Sequence, residues 1–298
     1  MSSKAKGFIE ALISSCTFGM IPLFSMPCLD AGMDTVTVIT HRYGLGSVAM
    51  LIIMLCQRQS LKITWHDAWH IFILAIFNNL GAFTLIYGYQ FMDSGAATTI
   101  QFSYPIFTCI IMMMFFHERV TLRIATAIVL AVAGVACLSG YVPGQGNISW
   151  IGVGIELLAG LTYAIYLVLV PVFKVRNFES SKLTFFVFLF STLQLLAVSP
   201  VAIDGGFHVA TEPRLIGYLL LLGLIPTAIS NFMLILGLKK IGSTLTSILG
   251  AMEPLTAMLI GVLYMGEQFT WLIGIGFVAI IVSVLLLIFQ KHTSQAPA

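Results

Sequence analysis

Ten apolar stretches, each closed off by polar residues, divide the chain at about 7–29, 35–56, 68–91, 95–116, 122–138, 150–173, 183–203, 214–238, 244–265 and 269–290. Crossing about 30 Å of hydrocarbon takes a helix of roughly 20 apolar residues, so each stretch has the length of a membrane span. The long Leu, Ile, Phe and Met runs lack the roughly ten-residue alternation of a transmembrane barrel, and backbone in lipid must satisfy its own hydrogen bonds. The pattern therefore predicts an all-α integral membrane bundle. Composition agrees: 59% of residues are hydrophobic and 9% charged, with a mean hydropathy of +1.01, which excludes a soluble domain. The connections are short, so the chemistry is expected inside the bilayer.

The chain repeats itself. Leu85, Gly88, Ser94, Pro105, Glu118 and Thr121 recur as Leu234, Gly237, Ser243, Pro254, Glu267 and Thr270, each pair 149 positions apart. Five spans separate the copies, an odd number, so the second copy crosses in the opposite sense, the arrangement of transporters built from inverted repeats. The first repeat is placed at 1–140, the second at 150–291, and 292–298 form a short cytoplasmic tail.

Charge sets the orientation. Lys4, Lys6, Arg58, Lys62, Arg119, Arg123, Lys174, Arg176, Lys182, Lys239, Lys240 and Lys291 fall on one side of the ten spans; Arg214 alone falls on the other. The positive-inside rule then predicts cytoplasmic N- and C-termini. Equivalent loops exchange charge as inversion requires: Asp93 answers to Gly242 beside Lys239 and Lys240, and Arg119 to Gln268. The first span reads as a retained helix, since it is too long for a signal-peptide core and lacks a small-residue cleavage site. Trp65, Trp69, Trp150 and Trp271 sit near span ends and are expected in the interfacial aromatic belt. Cys16, Cys28, Cys56, Cys109 and Cys137 have no metal-type spacing and read as small apolar residues.

Polar groups that lipid rejects mark the candidate site. Arg42 lies about eight residues into span two, and at about 1.5 Å per residue this is roughly 12 Å deep. A charge there costs about 3 kcal/mol on insertion scales, so it faces a cavity or a partner. Glu253 lies at comparable depth in span nine. The two are expected to line one central cavity, paired directly or bridged by substrate; the alternative is that each makes private hydrogen bonds. His41 points about 100° away from Arg42 and is a candidate for proton coupling, as an imidazole titrates near neutral pH, with helix packing as the alternative. Glu253 is the other coupling candidate. Asn78, Asn79, Gln101, Tyr104, Tyr163 and Asn231 are candidate substrate contacts or, equally, hydrogen-bonding glue between helices.

Pro105 and Pro254 break spans four and nine at matching positions, and paired interruptions of this kind point to a binding site. Glu118 and Glu267 follow those spans and are read as structural caps, each a carboxylate near the N-terminus of the next helix.

The pairing of Tyr104-Pro105 with His117-Glu118, and of Glu253-Pro254 with Gly266-Glu267, together with Arg42 and the turn Asp93-Ser94-Gly95-Ala96, resembles the ten-helix drug/metabolite transporter superfamily, specifically its EamA-type branch. Phe18-Gly19 stands where the branch commonly has Trp-Gly and alters one wall of the pocket. The resemblance implies a substrate cavity enclosed by spans one to four and six to nine, with spans five and ten peripheral. It implies movement of small metabolites by exchange, facilitated diffusion or proton coupling.

The expectation is thus a secondary transporter of a small polar or zwitterionic metabolite in a bacterial inner membrane, with amino acid export as the leading assignment. A lipid-carrier or amphiphile flippase of the same superfamily is the alternative. The expected partners are a small-molecule substrate, membrane lipids and protons as the candidate coupling ion, without nucleic acid, in a monomer or homodimer. No cofactor or metal is expected: the chain has no HExxH, aspartate-rich or nucleophile-elbow motif of an enzyme and no GxxxxGK loop for ATP.

Overall fold

The computed structural model describes residues 2–88, 91, 97, 100–138, 149–173, 178–202, 210–264 and 271–288. The turn at 93–96, Gly266, Glu267 and Thr270, and the tail, lie outside the described residues. Those described form helices throughout the ten predicted spans. Six helical stretches are long and apolar enough to cross a membrane: Ser3–Asp30, Thr35–Cys56, Trp65–Gly88, Trp150–Val172, Ser180–Pro200 and Pro213–Leu249. Shorter apolar helices at Tyr104–Phe116, Leu122–Leu138, Met252–Tyr264 and Trp271–Ile288 supply spans four, five, nine and ten.

Four spans are not the uninterrupted rods that hydropathy suggests. Span one is two helices, Ser3–Phe18 and Ile21–Asp30, joined at Gly19 and Met20, with Pro22 in the first turn of the second. Proline is tolerated there because the first-turn N–H groups have no intrahelical acceptor. Spans four and nine restart in the same way, Tyr104–Phe116 with Pro105 and Met252–Tyr264 with Pro254 in their first turns. The repeated prolines therefore open helices rather than kink helix interiors. Span eight widens into a π-helical turn at Leu224–Ile229, around Pro226. It continues past the predicted end at Leu238 as far as Gly242, whose φ of 81° suits glycine and turns the chain into span nine.

The packing obeys the exchange of span n with span n+5. Span three packs on span six and, as the exchange demands, span eight on span one; spans two and seven pair with each other, and spans five and ten do likewise. Close approach is allowed by small residues. A Cβ on Gly134 of span five would lie 2.8 Å from Ile280 and 2.9 Å from the Gly276 carbonyl of span ten. The Ser283 hydroxyl donates to the Ala127 carbonyl at 2.7 Å across the same seam. Such small-residue seams substitute for the hydrophobic effect, which lipid does not supply between helices. Between spans two and seven, Tyr43 stacks on Phe188 with centroids 5.4 Å apart.

Trp65, Trp69, Trp150 and Trp271 are 57–88% exposed at helix ends, where interfacial residues belong. On the face rich in basic residues, Lys240 forms a salt bridge with Glu10 of span one.

Candidate substrate cavity

The interruptions converge. Where span one breaks, a Cβ on Gly19 would sit 2.4 Å from the Glu253 carbonyl, so only glycine lets the two broken helices touch. Where span nine restarts, the Tyr104 hydroxyl donates to Glu253 Oε1 at 3.4 Å. A Cβ on Gly250 would lie 1.6 Å from that hydroxyl, so the absence of a side chain there makes room for the tyrosine.

Beside this junction is a cavity lined by Phe18, Arg42, Tyr43, Asn78, Gln101, Tyr163, Glu253 and neighbouring small or apolar residues. Arg42 is only 3% exposed. Its Nε donates to Thr227 Oγ1 at 2.8 Å, and that hydroxyl donates onward to the Leu222 carbonyl at 2.7 Å. The second bond spans five residues and belongs to the π-turn, so the local widening of span eight aims an acceptor at the arginine. The guanidinium carbon stands 5.4 Å from the ring centroids of both Phe18 and Tyr43, within cation–π range. A buried cation from the first repeat and a carboxylate from the second thus share one cavity, inside a wall of aromatic rings.

The remaining candidates divide. Asn78 lines the cavity and donates to Ser191 Oγ of span seven at 3.3 Å, while Asn79, the next residue, is outside this cavity's lining and donates to the Ser191 carbonyl at 3.1 Å and Gln194 Oε1 at 2.9 Å of the same span. Asn231 is buried and donates to the Thr227 carbonyl of its own helix at 3.0 Å. It supports the π-turn from behind. His41 Nδ1 lies 2.9 Å from the Thr37 carbonyl of its own helix, and the ring is not part of this cavity's lining. Glu118 is expected from the sequence to act as a cap for span five; the side-chain hydrogen bond there is made by Thr121 Oγ1, which accepts from the Ile124 N–H at 3.3 Å, while Glu118 Oε2 accepts from Thr244 Oγ1 at 2.9 Å at the start of span nine. The carboxylate joins the two repeats.

Two residues at the site had no distinct sequence signal. Thr227 and Tyr43 are common residue types whose roles arise from packing. Glu156 is different: a carboxylate within span six that depth alone could have singled out, it is fully buried.

A sequence model described as the EamA-like transporter family matches residues 5–140 and again 150–289. The chain belongs to the EamA-like transporter family. An uncharacterized transporter of Archaeoglobus fulgidus is 25% identical over 135 residues, 45% of this chain and 46% of the relative; the match thus spans about half the length of that curated relative. A solved crystal structure superposes with a TM-score of 0.79 at 15% identity, covering 95% of this chain and 96% of its own, a likeness that speaks to the fold alone. The EamA-like chain is a multi-pass membrane protein.

Proposed function

We propose that this chain is a secondary transporter of the bacterial inner membrane that moves a small polar or zwitterionic metabolite, with amino acid export as the leading assignment, by alternating access and with cytoplasmic termini. The observation that carries the reading is the placement of Arg42 and Glu253, from opposite repeats, on one cavity beside the broken helices. A zwitterion offers a carboxylate to the guanidinium and an ammonium to the carboxylate. Tyr163 and Phe18 supply apolar faces for a side chain, and Asn78 and Gln101 supply hydrogen-bonding groups. Rocking of one repeat against the other around this point would alternate access.

Size supports a small solute over a lipid. The cavity has a volume of about 80 Å³. That suits a molecule of amino acid size in this conformation.

The experiment is a thermal-shift screen of amino acids, amines and lipid head-group analogues on purified protein, followed by flux of each hit into proteoliposomes. Stabilisation by an amino acid, with flux lost in Arg42→Ala and in Glu253→Gln, is the expected result. Wild-type flux in both variants would remove the site. Stabilisation by head-group analogues alone would favour the flippase reading.

A further inference from the structure

Glu156 is the most costly unexplained side chain in the protein. It sits six residues after Trp150, roughly 9 Å along the helix from that interfacial residue at about 1.5 Å per residue. It is 0% exposed, and neither carboxylate oxygen has a hydrogen-bond partner among the described residues. Its carboxylate occupies the space in front of Gly88 of span three: a Cβ on Gly88 would lie 1.9 Å from Glu156 Oε1 and 2.7 Å from its Cδ. An ionised carboxylate without donors, sealed from water, is among the costliest groups a protein can bury. A neutral carboxyl removes most of that cost.

The repeat supplies an internal control. Exchange of the halves maps the seam of spans three and six onto the seam of spans eight and one, and Gly88 onto Gly237. The Cβ position of Gly237 faces Ala11, with Ala11 Cβ 3.3 Å away. The same glycine contact is therefore closed by alanine in one half and by glutamate in the other. Packing is met by a methyl group, so the carboxyl in front of Gly88 has another use.

Its surroundings give that use a direction. Seven residues on from Glu156, nearly two full turns and so on the same helix face, Tyr163 lines the substrate cavity. Between them on that face is Gly160, whose absent side chain leaves room for the Gln101 carbonyl at 2.8 Å and for Ser103 Oγ at 2.9 Å. Ser103 Oγ is itself buried without a hydrogen-bond partner among the described residues. Next to Ser103, Tyr104 reaches Glu253. Two polar groups without a hydrogen-bond partner among the described residues, Glu156 and Ser103 Oγ, thus lie on or against the face of span six that leads to the cavity.

We infer that Glu156 is a proton-binding site, holding a proton in this conformation and exchanging it along the Ser103–Tyr104 track when the seam of spans three and six opens, which couples transport to the proton gradient. The inference rests on the transporter reading for its purpose, though not for its geometry. In chemical terms the carboxylate takes one proton from water to form a neutral carboxyl and later returns it. A metal cation is disfavoured, because no group of three or more His, Cys, Asp or Glu occurs among the described residues.

The described titratable groups on the packed elements are engaged elsewhere. On span three, His66 and His70 meet as tilted rings with centroids 4.3 Å apart, Asp67 bonds Thr64, and Tyr87 stacks on Phe83. On span four, Tyr104 bonds Glu253, and on span eight, Lys240 pairs with Glu10 and Lys239 donates to the Phe178 carbonyl. On span six itself, Tyr163 and Tyr166 stack on each other. Glu156 would therefore titrate as a single site.

The test is infrared difference spectroscopy of the full chain in phosphatidylethanolamine/phosphatidylglycerol vesicles, read at the protonated-carboxyl stretch as the pH is stepped from acid to alkaline. A band present in wild type and Glu253→Gln but missing from Glu156→Gln and Glu156→Ala is expected; the alanine variant copies the Ala11 seam and so keeps a folded control. An unchanged carboxyl band in both Glu156 variants overturns the inference. With any amino acid that the wild type carries, Glu156→Gln is expected to retain exchange and lose stimulation by an imposed pH gradient. Stimulation equal to wild type, or a wild-type flux indifferent to the gradient, overturns the coupling role and leaves the transporter reading standing. Absence of any wild-type flux overturns that reading instead, and the infrared band still decides the proton site.

Discussion

The Tyr104 hydroxyl donates to Glu253 Oε1, and the two residues are 149 positions apart, the offset of the repeat. Each stands immediately before its repeated proline. Two residues exchanged by a two-fold operation touch each other only near its axis, so this contact places the axis at the restart of spans four and nine. Tyrosine in one half and glutamate in the other make the centre chemically asymmetric. A perfect dimer of two such units could not offer a zwitterion unlike groups from equivalent positions.

Crowding at the axis gives the first prediction. Gly250→Ala drives a methyl group into the Tyr104 hydroxyl and is expected to cost about 1–3 kcal/mol by overpacking. Tyr104→Ala frees that space, so the double variant should lose less than the sum of the two single variants. Thermal unfolding in detergent of the four proteins measures the coupling.

Thr227 is expected to position Arg42. Thr227→Val removes the acceptor of the Nε–H while keeping shape, and loss of a hydrogen bond to a buried charged group costs about 1.5–3 kcal/mol. Thr227→Ser keeps the acceptor and should stay near wild type. Arg42→Lys should resemble Arg42→Ala in flux, since lysine has neither the Nε donor nor the planar group that lies against Phe18 and Tyr43. The comparison of KM with maximal rate across this set checks it.

Gly19→Ala should separate the broken halves of span one from span nine. Its methyl group has no room against the Glu253 carbonyl, which is backbone and cannot rotate away. Reduced flux with retained membrane insertion is the expected result, read by transport and by size-exclusion profile together.

The seam of spans five and ten provides the contrast. Gly134→Leu meets Ile280 and the Gly276 carbonyl, so it should lower thermal stability. Because this seam holds none of the cavity residues, KM for any transported amino acid should stay at the wild-type value. A shifted KM would show that the two outer spans take part in recognition.

Orientation is open to direct labelling. Cys56, exposed at the end of span two, is predicted on the cytoplasmic side. A membrane-impermeant maleimide should modify it in inside-out vesicles and leave it unmodified in intact cells, with Cys56→Ser as the blank. Modification in intact cells would reverse the assigned topology.

Much of this protein could be read without coordinates, and the reason is the solvent. In a bilayer the hydrocarbon thickness sets span length, and the rarity of charge makes Arg42 and Glu253 conspicuous; a constant offset between copies then dictates inversion. What one-dimensional spacing does not carry is which faces meet. Asn78 and Asn79 are adjacent in the chain and both bond span seven, and only the angular step of the helix puts one on the cavity wall and leaves the other off it. Thr227 becomes an arginine ligand because a π-turn shifts its register, and Glu118 reaches Thr244 because the two repeats are folded against each other. The breaks in spans one and nine likewise meet where Gly19 lies against the Glu253 carbonyl, a property of two segments together. Composition determined that the chain lives in lipid, and the 149-residue offset across five spans that it repeats upside down; tertiary contact decided where its few polar groups converge.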